Sequence, residues 1–104
     1  MPGKRYTLPS EQQWKAFAGG QKFEDIPGGV AGKAGPSVVG QSSPPNQFGL
    51  FDVLGNVYEW CLDDATSGQK VIKGGAFNSA NYDNTLLPDK QASNCGFRCV
   101  LVAQ

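Results

Sequence analysis

Residues 44–64 read PPNQFGLFDVLGNVYEWCLDD, and their pattern decides the fold. Phe48, Leu50, Phe51, Val53 and Leu54 crowd together just before Gly55-Asn56, a strong turn dipeptide. After the turn the residues alternate. Tyr58, Trp60 and Leu62 share one face, and Val57, Glu59 and Cys61 share the other. That predicts a strand with a carboxylate at its centre. A buried, unpaired carboxylate costs on the order of several kcal/mol, so Glu59 needs a partner.

Upstream, LPSEQQWKAFAGG predicts the one clear helix. Ser10 and Gln13 have the spacing of a capping box, and Glu11 sits in the first turn, where the helix dipole favours it. Trp14, Phe17 and Ala18 form one apolar face, and Gly19-Gly20 ends the helix. So short a helix does not hold alone in water, so Trp14 and Phe17 must dock. Downstream, KVIKGG and GFRCVLV predict two more strands. Arg98 is the only charge in the second of these runs and also calls for a partner. Asp63-Asp64 reads as a strand end in solvent. Residues 21–47 carry turn chemistry without periodicity. Phe23, Ile26, Val30, Val38 and Val39 make them a packed irregular loop rather than a linker. The expected class is α+β with one helix, about three or four short strands and many loops.

The totals bound the function. A chain of 104 residues is one domain, 1–104. Nine basic and nine acidic residues cancel, which leaves no electrostatic footprint for nucleic acid or an anionic membrane. No run approaches the ~20 apolar residues of a membrane span. MPGKRYTLPS lacks the apolar core of a signal peptide, so the expected setting is the cytoplasm or a phage particle. Cys61, Cys95 and Cys99 are an odd count, which argues against a closed disulfide framework and fits small buried hydrophobes. The chain has no His. That removes His-ligated iron, a His general base and a Ser-His-Asp triad together.

Four stretches carry a family resemblance. YTLPSEQQW resembles the RLPTEAEWE opening of the formylglycine-generating enzyme family. PPNQFGLFDVLGNVYEWCLD is similar to its PNxFGLYDMxGNVWEWxxD signature. KVIKGGAF resembles RVxRGGSW, and CGFRCV resembles the closing GFRxV. They occur in the family's order and cover residues 6–102. The resemblance implies a minimal C-type lectin-like fold of the formylglycine-generating enzyme type. It also implies a calcium site in the loop entering the central strand. Carried over, the ligands are a side-chain oxygen of Asp52, the carbonyls of Gly55 and Val57, and Glu59, an all-oxygen set suited to a hard cation. An ion pair between Glu59 and Arg98, or capping of backbone amides by Glu59, remains the alternative. No cofactor is otherwise required.

The family's enzyme oxidises a cysteine of a sulfatase peptide with copper held by two cysteines just after the GGSW motif. Residues 76–84 stand there, reading AFNSANYDN, and contain no Cys. Cuprous copper needs soft thiolates. Relatives that join a thiol to a histidine derivative use an iron site built from His, which this chain lacks. The expected role is therefore non-catalytic.

Between the last two predicted strands lies a polar segment. A polar loop on a rigid scaffold reads as a binding surface, and its Asn, Ser and Tyr resemble paratope chemistry. Residues 74–98 form the candidate region. Phe77, Asn78, Ser79, Ala80, Asn81, Tyr82, Asp83, Asn84, Lys90, Gln91, Ser93 and Asn94 are the candidate ligand-binding residues, with Tyr82 as the hot spot. The segment also resembles that of the variable proteins of diversity-generating retroelements, in which adenines of template Asn codons are rewritten. Residues 78–85 and 92–94 are reachable from such codons, whereas Lys90 and Gln91 are not. The expected partner is a protein ligand whose identity the scaffold does not encode. The alternatives are an undiversified binding or structural module, or a divergent copper oxidase. Sugar binding rests on the fold's name alone.

Overall fold

The computed structural model describes residues 3–23, 32, 35–37, 40, 44–90 and 92–103. Strand β1 is Lys4–Thr7, helix α1 Glu11–Ala18, β2 Tyr58–Asp64, β3 Lys70–Lys73, β4 Asp83–Leu86, β5 Cys95–Gly96 and β6 Val100–Ala103. A four-stranded sheet runs in the order β4-β3-β2-β5, and β1 and β6 form a separate two-stranded ribbon. In the sheet, β2 is antiparallel to β3 and parallel to β5, and β3 is antiparallel to β4.

The helix forms as its sequence dictates. Ser10 Oγ accepts from the Gln13 amide, and the Gln13 side chain accepts from the Ser10 amide, at 3.1 and 2.8 Å. Gly19 takes a left-handed φ of 68° and closes the C-terminus. Trp14 and Ala18 are buried against Val53, Leu54 and Cys61, with Phe17, Phe23, Leu50, Val71 and Tyr82 packed around them. Tyr58, Ile72 and Ala76 form a second cluster with Trp60, Leu86 and Cys95. The alternation along β2 explains both clusters, because Cys61 serves the first and Tyr58 and Trp60 the second. Both faces of β2 are therefore used.

Leu62 is exposed, although it shares a face with Tyr58 and Trp60. Three sequence expectations need correction. Asp63 is not a solvated strand end. Its Oδ1 accepts from the Glu11 amide at 2.6 Å, satisfying a free donor of the helix N-terminus. GFRCVLV is not one strand. Gly96 ends β5 beside β2, and Val100 begins β6 beside β1, so the run passes from the sheet to the ribbon. The polar segment is not all loop, since residues 83–86 pair with β3 along its length.

The long loop is docked where it is described. Phe23 packs on the first cluster. Asn46 Nδ2 donates to the carbonyls of Phe17 and Ala18, while its Oδ1 accepts from the amides of Phe48 and Leu50. One amide thus caps the end of α1 and fixes the turn into the signature stretch. Ile26, Val30, Val38 and Val39 lie outside the described residues.

Candidate functional site

Two glycines place the polar segment. Gly74 adopts φ 103°, and a Cβ there would sit 2.4 Å from the Val53 carbonyl oxygen. Only glycine fits such an approach. Around it the Gly55 amide donates to the Gly74 carbonyl at 2.7 Å, and the Phe77 amide to the Asn56 carbonyl at 2.7 Å. The strand-end glycines are thereby clamped to the Gly55-Asn56 turn, whose residues both have positive φ. Beyond them Ala76 and Ser79 exchange backbone hydrogen bonds in a tight turn.

The side chains of the segment divide in two. Phe77 is buried, and the Tyr82 ring packs inward, edge-on to Trp14 at 5.4 Å between centroids and to Phe23 at 6.1 Å. Burial also raises the pKa of the Tyr82 hydroxyl. These two aromatics anchor the segment, which corrects their expected place on a ligand-facing surface. Ser79 and Asn84 reach the Tyr58 hydroxyl at 2.9 and 3.4 Å. Asp83 pairs with Lys73. Asn78, Ala80, Asn81, Asn84 and Ser93 are exposed. Asn94 Nδ2 donates to Asn78 Oδ1 at 3.1 Å, which joins the two ends of the region. Lys90 is exposed on the turn after Leu87, and Gln91 lies outside the described residues.

Among the described residues three charged ones are buried, Asp52, Glu59 and Lys73. Glu59 Oε1 accepts from Trp14 Nε1 at 3.0 Å and Arg98 Nε at 2.8 Å, and Oε2 accepts from Arg98 at 2.9 Å. Arg98 also donates to the Phe51 carbonyl at 2.8 Å and stacks over Phe17. Burial pushes the Glu59 carboxyl above the usual range against the pull of Arg98 and Trp14, and the charge of Asp52 adds to the rise. The ion pair left open by the sequence is thus present. Lys73, missed in the sequence, is also buried. It bridges Glu11 at 3.0 Å and Asp83, with the Tyr82 ring 5.4 Å away. Burial opposes its charge, but the bonds from Asp83 and Glu11 prevail and raise its pKa. Its one sequence signal was the odd placement of a cation at the buried end of an apolar strand.

The four calcium candidates lie at the same place. Asp52, Val57 and Glu59 line a cavity of about 390 Å³ with Phe51, Phe97 and Arg98, and Gly55 is in the adjoining turn. Asp52 Oδ2 accepts from the Gly40 amide at 2.9 Å. The donors are oxygens of the right kind, but calcium would have to share Glu59 with Arg98. The copper ligands have no counterpart. Cys61 is buried, with its thiol pushed up to about 12 by burial. Cys95, on β5, is pushed up to about 11 by burial. Neither thiolate is accessible at neutral pH. Among the described residues no three His, Cys, Asp or Glu side chains cluster to hold a metal.

Comparison with known proteins shows the family. Residues 2–103 match the sulfatase-modifying factor enzyme 1-like domain. The chain belongs to this family. Within it, the sulfatase-modifying-factor-like domain is 31% identical to an inactive C-alpha-formylglycine-generating enzyme 2 of Bos taurus over 93% of this chain and 44% of the relative. It is 36% identical to a formylglycine-generating enzyme of Mus musculus, over 54% of this chain and 22% of the relative. The solved structure titled "Crystal Structure of CarF" superposes with a TM-score of 0.69 at 27% identity, covering 95% of this chain and 48% of that one. The chain spans less than half the length of each of these proteins. The alignment with the Bos taurus relative runs to 133 positions against 104 residues here, so that relative carries insertions within the shared span. The domain thus has the α+β fold of its family in a short form.

Proposed function

We propose that this domain is a non-catalytic, ligand-binding member of its family whose ligand is a protein. The observation that carries the reading is the division of residues 76–84. The inward side chains hold the segment to the core, and the exposed ones are amides, an alanine and the Asp83 carboxylate, with no thiol or imidazole among them. Where the resemblance expects two copper-binding cysteines, this chain has neither. Relatives named as inactive formylglycine-generating enzymes fit the reading, although relatives named as active ones match as well. The finer reading is a C-type lectin-like scaffold with a face diversified by a retroelement. Its face is then Asn78, Ala80, Asn81, Asn84, Ser93 and Asn94; Asp83 and Lys90 are exposed too, but Asp83 is paired with Lys73 and Lys90 is not reachable from template Asn codons.

The test is the DNA around the gene. A near-copy of the codons for residues 74–98 beside a reverse transcriptase gene, differing almost only at adenines, is the expected result. Its absence overturns diversification. A specific observation then favours the second reading, an undiversified module. Ser79, Tyr82, Asp83 and Asn84 all make contacts that a freely varied position would lose.

Calcium belongs to the same proposal, as a structural ion at Asp52, Gly55, Val57 and Glu59. Millimolar calcium is expected to raise the unfolding midpoint of the wild type, and Asp52→Asn to reduce that rise. No rise in the wild type contradicts the site.

A further inference from the structure

Arg98 and the proposed calcium ligands meet at one carboxylate. Glu59 Oε1 accepts from Arg98 Nε at 2.8 Å and from Trp14 Nε1 at 3.0 Å, and Oε2 accepts from Arg98 at 2.9 Å. The guanidinium thus spans both oxygens with its planar fork, the geometry in which arginine holds a carboxylate most strongly. A carboxylate offers about four acceptor sites, so few remain on Glu59 for another cation. The Glu59 side chain is 5% exposed and that of Arg98 26%, so the carboxylate is enclosed while its partner reaches solvent. Arg98 has further contacts of its own, to the Phe51 carbonyl at 2.8 Å and the Phe17 ring at 5.8 Å. Phe51 leads directly into Asp52. Arg98 is therefore bonded to the chain at both ends of residues 52–59, which hold the proposed ligands. Two cations drawn to one carboxylate repel each other, most strongly where water is excluded.

We propose that Arg98 is a built-in counter-cation that competes with calcium for Glu59 and so sets the affinity of the site. This deepens the calcium reading above and rests on it. Without the ion Arg98 satisfies Glu59, and the core closes with no metal. Calcium binding then requires the loss of Arg98–Glu59 bonds, which weakens the site relative to one without the guanidinium. The cavity of about 390 Å³ that Arg98 lines leaves space for its head group to move.

Calcium titrations of the wild type, Arg98→Met and Arg98→Lys, read by the unfolding midpoint, test this. Methionine keeps an apolar stem and removes the charge, whereas lysine keeps the charge and loses the fork. Arg98→Met is expected to reach half-saturation at a calcium concentration at least about tenfold below that of the wild type, with Arg98→Lys between the two. A second readout needs no variant. Arg98 is one of two arginines in the chain, so its side-chain N–H resonance is readily followed by NMR. That resonance is expected to shift with calcium along the same curve as the midpoint. If the wild type responds and Arg98→Met needs as much calcium or more, Arg98 is no competitor and the calcium reading stands without it. An Arg98 resonance that stays fixed while the midpoint rises has the same meaning. Arg98→Lys tightening as much as Arg98→Met also overturns the competition, because the charge would then be irrelevant. A response in Arg98→Met alone upholds the competition and contradicts calcium as an ion of the wild type. No response in either overturns both.

Discussion

Arg98 and Lys73 are both cations paired with carboxylates, yet their removal is expected to have different effects. Arg98→Met strands Glu59, whose side chain is 5% exposed, as a buried charge. Breaking a buried pair in this way costs about 3–5 kcal/mol. Lys73→Met leaves behind Glu11 and Asp83, whose side chains are 32% and 69% exposed, so water takes over their solvation. Methionine fills the buried space, and the change is expected to stay within about 1 kcal/mol of neutral or to stabilise. Chemical denaturation of the two variants checks the order. The reverse order would show that Glu59 is satisfied by something other than Arg98. Glu11 contributes to the acid limb of the pH dependence. Its hydrogen bonds to Lys73 and Lys15 hold its carboxyl below the usual range. A carboxylate lowered in the folded state contributes stability above its unfolded pKa, and that stability is lost as pH falls through the lowered value. Glu11→Gln is therefore expected to flatten the acid limb of stability against pH and to leave the neutral region with the same slope.

At the scale of elements, the tightest constraint is the approach of the β3 terminus to the Gly55-Asn56 turn. Gly74→Ala puts a Cβ against the Val53 carbonyl at a positive φ. The carbonyl is backbone and cannot relax by a rotamer, and the buried Trp14 ring closes the other side at 3.1 Å. The expected loss is at least about 2 kcal/mol, read from the unfolding midpoint. Gly20→Ala, also at positive φ but with open space around it, is expected to cost less. Helix α1 was legible in the sequence down to its capping box, because caps and the i, i+3, i+4 face are local chemistry. So was β2, since alternation is local too. Strand β4 was not. Asp83 and Asn84 are of types depleted in strands, and they pair because the Gly74-Gly75 turn returns the chain alongside β3. The division of residues 95–103 between sheet and ribbon was also hidden, because an apolar run does not say which partner each half will meet. β1 went unseen for the same reason: KRYT is a strand only because β6 lies beside it.

For the whole molecule, the family signature and the pairing of Glu59 with Arg98 were within reach of the sequence, because an isolated charge in an apolar run demands a partner. The direction of Tyr82 was not. An aromatic in a polar segment reads as a ligand anchor until the Trp14 edge and the Phe23 ring are seen to enclose it. The resulting picture is a small core whose anchors reach into the segment it displays, with the amides of Asn78 and Asn81 left in solvent. Saturation substitution of residues 74–98, read by surface expression of folded protein, tests that division most directly. The expected result is broad tolerance at Asn78, Ala80, Asn81 and Ser93, with intolerance at Gly74, Phe77, Tyr82 and Arg98. Free substitution at Phe77 and Tyr82, or strict requirement at Asn78 and Asn81, would contradict it.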